Sequence, residues 1–162
     1  MPSRLLKVPH IPQQSSADCL AACAAMLLAF MGFRPNYARV TRILAMTPYG
    51  TQLRRITALA KHYRGVTVDL RSGDQTALRA AIDAGIPPII FVDTAELAYH
   101  RYEGLAHTAV LVGYADESFY VNDPAFSTAS QIVSAGELYL ACFAFDNLYA
   151  LVSRDPSRGL PN

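Results

Sequence analysis

The chain has 162 residues, 52% hydrophobic and 17% charged, which suffices for one soluble domain with a sizeable core. Fourteen basic and thirteen acidic residues leave a net charge of +1, and the basic residues are scattered, so neither nucleic acid nor a charged membrane surface is an expected partner. Three cysteines are too few, and odd in number, for a disulfide framework; a reduced, cytoplasmic setting fits them.

The N-terminus lacks the apolar run of a signal peptide. Leu5 to Ile11 is apolar and punctuated by Pro9 and Pro12, which suits an edge strand or an extended entry segment. A polar loop, Gln13 to Asp18, leads into Cys19–Met31, where Leu20, Cys23, Ala24, Leu27, Leu28 and Met31 recur at helical spacing. That segment carries no charge from Leu20 onward, so it should be a helix buried nearly all round, with Ser16 or Asp18 as its N-cap. The apolar stretch to Phe33 falls short of a membrane span, which needs ~20 residues. Gly32 should stop the helix. Pro35-Asn36 should open a second helix over Tyr37–Met46, followed by a turn at Thr47–Gly50. A third, amphipathic helix is expected over Thr51–Tyr63, with Leu53, Ile56, Leu59 and Ala60 inward.

The character then changes. Val66–Leu70 alternates like a strand, Ser72-Gly-Asp74 caps a helix to about Ala84, and Ile86–Val92 reads as a buried strand. Asp93–Leu105 is a polar loop with Tyr99, His100 and Tyr102. A hairpin follows: Ala106–Tyr114, a turn at Asp116–Ser118, and Phe119–Asn122. Gln131–Val133 suits a strand, Ser134–Leu140 a helical turn or two, and Asn147–Val152 the last strand. Helices first and a mostly antiparallel sheet after them make an α+β fold, one domain over residues 1–154 with a frayed tail at 155–162.

A cysteine beside a hydrophobic helix is ordinarily core, and Cys23 and Cys142 are read so. Cys19 differs because it stands in the first turn, where the helix dipole and unpaired N–H groups favour a thiolate. Asp18 opposes this, so a basic partner is needed; by position alone both readings of Cys19 stand. Of the four histidines, His10 and His62 occupy bland positions and His100 lies in the polar loop. His107 opens a valine- and leucine-rich strand, where a polar group must find a partner. Asp123, at the far end of the returning strand, lies nearly level with it across the hairpin, and a bulge would complete the alignment. The carboxylate would then set the tautomer of the imidazole; a purely structural His–Asp pair is the alternative. Gln13 or Gln14 could donate to an oxyanion beside the Cys19 N–H.

The Gln13-x5-Cys19 spacing, the Asp-Cys start of a long apolar helix, His107 opening a strand and Asn122-Asp123-Pro124 closing the next together resemble the C39 cysteine peptidases, papain-like domains that include leader-peptide peptidases of ABC exporters. The resemblance runs from about Val8 to Val152. It implies a papain-like fold, with a helical part carrying the cysteine, a sheet carrying His and Asp, and a cleft between them. It also implies Cys19 as nucleophile, His107 as base and then acid, Asp123 as orienter and Gln13, which follows Pro12, as oxyanion donor. The implied activity is that of a thiol protease, a hydrolase acting on a peptide or protein, after small residues such as Gly-Gly of a leader peptide. No cofactor, nucleic acid or membrane insertion is implied; association with a separate exporter or modification system fits. Two departures stand out: Leu20 follows the cysteine where the family commonly has glycine, and no transporter portion accompanies the domain. Transfer to another acceptor, amidase action, or peptide binding without catalysis would use the same cleft. A metal held by Cys19, Cys23 and His107 is a further reading, without any Cys-x2-Cys or His-x3-His pair behind it.

Overall fold

The structure is a computed structural model that describes residues 3–155 and 157. Of the tail expected to be frayed, all but Asp155 and Ser157 lies outside the described residues. Helix α1 (Cys19–Phe30) buries every residue from Leu20 to Leu28, as an uncharged segment should. It ends where Gly32 takes φ 92° and the Phe33 N–H turns back to Leu28 O at 3.0 Å, a left-handed C-cap. Helix α2 (Tyr37–Ile43) starts at Asn36, whose side chain accepts the Arg39 N–H. It stops short of the expected Met46, because Ala45 turns left-handed at φ 52°.

The third helix is not one α-helix. Leu53–Ala58 is 3-10 and continues as a single turn, α3 (Leu59–His62). At three residues per turn, Leu53, Ile56 and Leu59 fall on one buried line. Ala60 falls off that line and is exposed, contrary to expectation. The strand at the entry lies earlier than the expected Leu5–Ile11: β1 is Ser3–Leu5, and from Leu6 to Ile11 the chain, interrupted by Pro9, forms no strand.

The remaining elements are β2 (Val66–Ser72), α4 (Gln75–Asp83), β3 (Ile89–Asp93), β4 (Ala106–Ala115), β5 (Ser118–Asn122), β6 (Gln131–Ser134), α5 (Ala135–Phe143) and β7 (Leu148–Arg154). Asp74 caps α4, and Ser134 with Glu137 forms a capping box that carries α5 past the expected Leu140. Strand β3 begins at Ile89 rather than Ile86, since Pro87 and Pro88 have no N–H for a ladder. The sheet runs β2-β7-β3-β4-β5-β6, antiparallel at every pairing, with β1 added along the far half of β4.

Both faces of the sheet are covered. Val110 and Val112 join α1, α2 and the 3-10 segment in one core. Ala109 and Leu111 join α4 and α5 in the other. Strand β4 is therefore buried from His107 to Tyr114, which explains its unbroken apolar run. Among the described residues no helix is long and apolar enough to cross a membrane.

One irregularity in β4 sets up the site. Ala115 pairs with Ser118 and Gly113 with Tyr120, but Leu111 pairs with Val121 and Val110 with Asn122. Val112 is thus an extra residue, a bulge, and its carbonyl accepts the Leu6 N–H at 2.7 Å. Without it, continuing the register would set Asp123 across from Val110, on the face opposite to His107. The one-residue shift sets it across from Ala109, whose side chain shares the His107 face. At Gly113, beside the bulge, a Cβ would overlap the Arg4 carbonyl and approach the Leu5 Cα to 3.0 Å. Gly113→Ala is expected to lower stability by about 1–3 kcal/mol through this overlap. Urea unfolding checks it: an unmoved midpoint would mean that β1 is not seated there.

Candidate active site

Helix α1 begins on Cys19, and its first intrahelical bond is Ala22 N–H to Asp18 O at 3.1 Å. The N–H groups of Cys19, Leu20 and Ala21 therefore have no carbonyl one turn back. Asp18 occupies the N-cap position but does not cap, which corrects the sequence expectation; nor does Ser16. Its carboxylate faces away from the helix, accepting the Ser15 N–H at 2.7 Å, the Ser15 hydroxyl at 2.5 Å, the Tyr37 hydroxyl at 2.6 Å and the Gln14 N–H at 3.2 Å. The loop before Cys19 is thereby fixed, and the helix terminus stays open to an anion.

Cys19 is half-buried, and its thiol lies beside the imidazole of His107 and beside Thr108. His107, the second residue of β4, is 5% exposed. Its Nε2 bonds Asp123 Oδ1 at 2.7 Å, which leaves Nδ1 for the thiol. Asp123 is wholly buried, and each of its oxygens has two donors. Oδ1 takes His107 and the Ala125 N–H at 2.9 Å; Oδ2 takes His100 Nε2 at 2.7 Å and the Tyr99 hydroxyl at 2.9 Å. The structure thus brings Cys19, His107 and Asp123 together and adds His100 and Tyr99, which sequence reasoning did not assign. Their only prior sign was a histidine in the loop just before β4.

The electrostatics follow from this arrangement. Burial opposes charge on Cys19, but the hydrogen bond and charge of His107, then the Thr108 contacts, lower the thiol below its ordinary value. Burial also disfavours the imidazolium, yet the bonds to Asp123 and Cys19 raise His107 to about 9. For Asp123 burial works against ionisation, and the bonds from His100 and His107 outweigh it, holding the carboxyl well below the usual range. All three shifts run in the direction that favours charge, on the thiol, the imidazole and the carboxylate. Chiefly through burial, Cys23 is pushed far up and Cys142 up to about 12. Cys23 is fully buried and bonds Thr108 Oγ1 in the core, so it does not join Cys19 as a ligand pair.

Gln13 is half-buried, whereas Gln14 is exposed. The Gln13 N–H bonds Pro124 O at 2.8 Å, which fastens it beside the Asp123 segment. Cys19, Leu20, Tyr49, Gly50, Phe91 and Ala106 line a cleft of about 150 Å³. Leu20, 1% exposed, is part of its floor and is packed into the core. A larger groove of about 400 Å³ between α4 and the sheet, lined by Ala77, Ala80, Ala84 and Tyr149, lacks a nucleophile–base pair. Of the two loop tyrosines, Tyr99 is turned inward to Asp123, and Tyr102, 63% exposed, stays outside.

A buried helix that starts on a cysteine and packs on an antiparallel sheet carrying a His–Asp pair is the papain-like architecture. The sequence model of the Peptidase_C39 like family matches residues 5–151, and the chain belongs to that family. Solved structures agree on the fold. A structure described as a C39-like peptidase from Bacillus anthracis superposes with a TM-score of 0.78 at 18% identity, covering 96% of this chain and 99% of that one. A double glycine motif protease from an AMS/PCAT transporter, solved with its leader peptide, gives 0.74 at 20% identity, covering 94% and 95%. The peptidase domain of Streptococcus ComA, a bi-functional ABC transporter of a quorum sensing pathway, gives 0.71 at 21% identity, covering 90% and 98%. No curated protein matches the chain.

Proposed function

We propose that this protein is a cysteine peptidase in which Cys19, His107 and Asp123 act together. One observation carries the reading: the Cys19 thiol, at an open helix N-terminus, lies beside an imidazole that is held by a buried carboxylate. The Cys19 thiolate attacks the peptide carbonyl carbon. The oxyanion that forms is stabilised by the Cys19 N–H and the Gln13 amide. His107 gives its Nδ1 proton to the departing amine, leaving an acyl-enzyme thioester. A water then attacks the thioester, His107 takes its proton, and the acid is released with the thiolate restored beside the imidazolium. Asp123 keeps Nδ1 directed at the reacting atoms.

The substrate is a peptide, with small residues such as Gly-Gly before the scissile bond. The narrow cleft beside Gly50 and Ala106 supports this, as does the double-glycine protease among the structural neighbours. A leader peptide delivered by a separate exporter or modification system, in the reducing cytoplasm, suits a chemistry that needs a free thiol.

Iodoacetamide labelling followed by intact mass tests the reading. One thiol, Cys19, is expected to react fast already below the ordinary cysteine value of about 8.5. Cys23 and Cys142 should stay silent until the chain unfolds. kcat/KM on a Gly-Gly test peptide should follow a bell, with its acid limb set by the thiol and its alkaline limb near 9, where His107 loses its proton. Uniform labelling of all three thiols only on unfolding would defeat the assignment.

A further inference from the structure

We propose that His100 is a positioning residue for the Asp123–His107 pair: its Nε2–H holds the second oxygen of the carboxylate so that the first stays on the His107 imidazole. This rests on the reading of Cys19 and His107 as the reacting pair. Asp123 follows the last residue of β5, past the end of the sheet ladder, so strand pairing does not fix its side chain. A carboxylate held at one oxygen could turn about its Cα–Cβ bond. Held at both, by donors from different elements, it cannot.

The segment that brings His100 is itself tightly fixed. Thr94, wholly buried, clasps the two ends of the loop: its N–H bonds Leu105 O at 3.0 Å, its hydroxyl bonds Glu103 O, and the Leu105 N–H returns to that hydroxyl at 2.8 Å. Glu137 of α5 accepts the Ala98 N–H at 3.0 Å and ties the loop to the core. The 3-10 turn Ala98–His100 then ends in two left-handed residues, Arg101 and Tyr102. The His100 ring stands edge-on to Phe126 and to His107, with centroids 5.1 and 5.3 Å away. The ionisable groups nearest to it are Asp123, His107 and Tyr99, with Glu137 behind the turn.

An apolar ring would fill this space equally well, but it would leave Oδ2 with the Tyr99 hydroxyl alone. Tyr99 does not substitute for His100, because its hydroxyl already makes its own 2.9 Å bond to Oδ2 and supplies no second donor there. The bond from His100, like the one from His107, helps to keep the buried Asp123 ionised. Without it the buried carboxylate competes for the proton that should rest on His107, and the thiolate forms only at higher pH.

The test uses the whole chain and iodoacetamide, from about pH 5 to about pH 9, with wild type, His100→Leu and His100→Gln. In folded His100→Leu the acid limb of Cys19 alkylation is expected to rise by about one pH unit, with a rate near pH 6 about tenfold lower. His100→Gln places an amide N–H near the position of Nε2 and should restore the rate to within about threefold. A reactive wild-type Cys19 whose profile is unchanged in folded His100→Leu overturns the positioning role and leaves the peptidase reading intact. An inert wild-type Cys19 overturns both. If His100→Leu does not fold, the imidazole ¹⁵N spectrum of the wild type decides. A proton on His100 Nε2 sustains the proposal. A bare Nε2 overturns it, since it cannot donate to a carboxylate.

Discussion

Cys19→Ala is expected to abolish hydrolysis of a Gly-Gly test peptide, by about 10⁴-fold or more, while leaving the fold intact. Neither of the other two cysteines can take over the attack. Cys23 is wholly buried with its thiol on Thr108, and Cys142, on the buried face of α5, belongs to the other core. Stability should change little, because the lost sulfur borders the cleft, where water can replace it. His107 keeps its bond to Asp123 in the variant. Near-UV circular dichroism and thermal unfolding check the fold, and product analysis checks the turnover. Retained hydrolysis in a pure, folded Cys19→Ala sample would sink the assignment of the nucleophile. If instead Cys19 labels readily but no peptide is cut, added amine acceptors show whether the acyl group passes to another acceptor.

Asp123→Asn should damage both activity and stability. All four groups that bond this side chain are donors: the His107 and His100 ring N–H, the Tyr99 hydroxyl and the Ala125 N–H. An amide replaces one acceptor oxygen with a donor. Whichever way it is turned, its NH₂ faces either His107 and Ala125 or His100 and Tyr99. The loss in stability is expected to be about 1–3 kcal/mol, the range for a hydrogen bond to a charged group left unmade. Turnover should fall by about 10²- to 10⁴-fold, since the imidazole loses its fixed tautomer and its counter-charge.

The pH dependence of this loss has a definite sign. The carboxyl is depressed by folding, so it stabilises the native state above its unfolded value, and this is lost as pH falls through the folded one. His107 is raised by folding, so its contribution is full below its unfolded value of 6.5 and is lost as pH rises through about 9. The stability gap between wild type and Asp123→Asn should therefore be widest between about pH 4 and about pH 6.5 and shrink toward pH 9. Urea unfolding at several pH values measures it. A gap that stays flat up to pH 9 and beyond would mean that no imidazolium–carboxylate pair exists in the folded protein.

Much of this molecule was legible in the chain itself. The uncharged run after Cys19 could only be a buried helix, and it placed the cysteine in the first turn. Asn36, Asp74 and Ser134 mark helix starts because a short polar side chain can reach an amide three residues on, and all three do so. His107 and Asp123 were expected as a pair because both stand at the same end of one hairpin. These are local facts, set by spacing along a single segment or across a single tight turn.

Other features depend on contacts between distant segments. Asp18 has the right identity for a cap, yet Tyr37 and the Gln14-Ser15 loop draw its carboxylate the other way. The Val112 bulge fixes which face Asp123 shares, and it exists where β1, over a hundred residues earlier, crosses Gly113. His100 reaches Oδ2 only because Thr94 and Glu137 fold the loop back onto the end of the sheet. By itself the sequence determined the family and the α+β class and singled out Cys19, His107, Asp123 and Gln13 as candidates, since periodicity, capping and residue chemistry are carried by short stretches. The tertiary structure alone decided that Asp123 is gripped at both oxygens and that the helix terminus at Cys19 stays open. Both follow from hydrogen bonds between segments that are remote in the chain, whose partners no local pattern specifies.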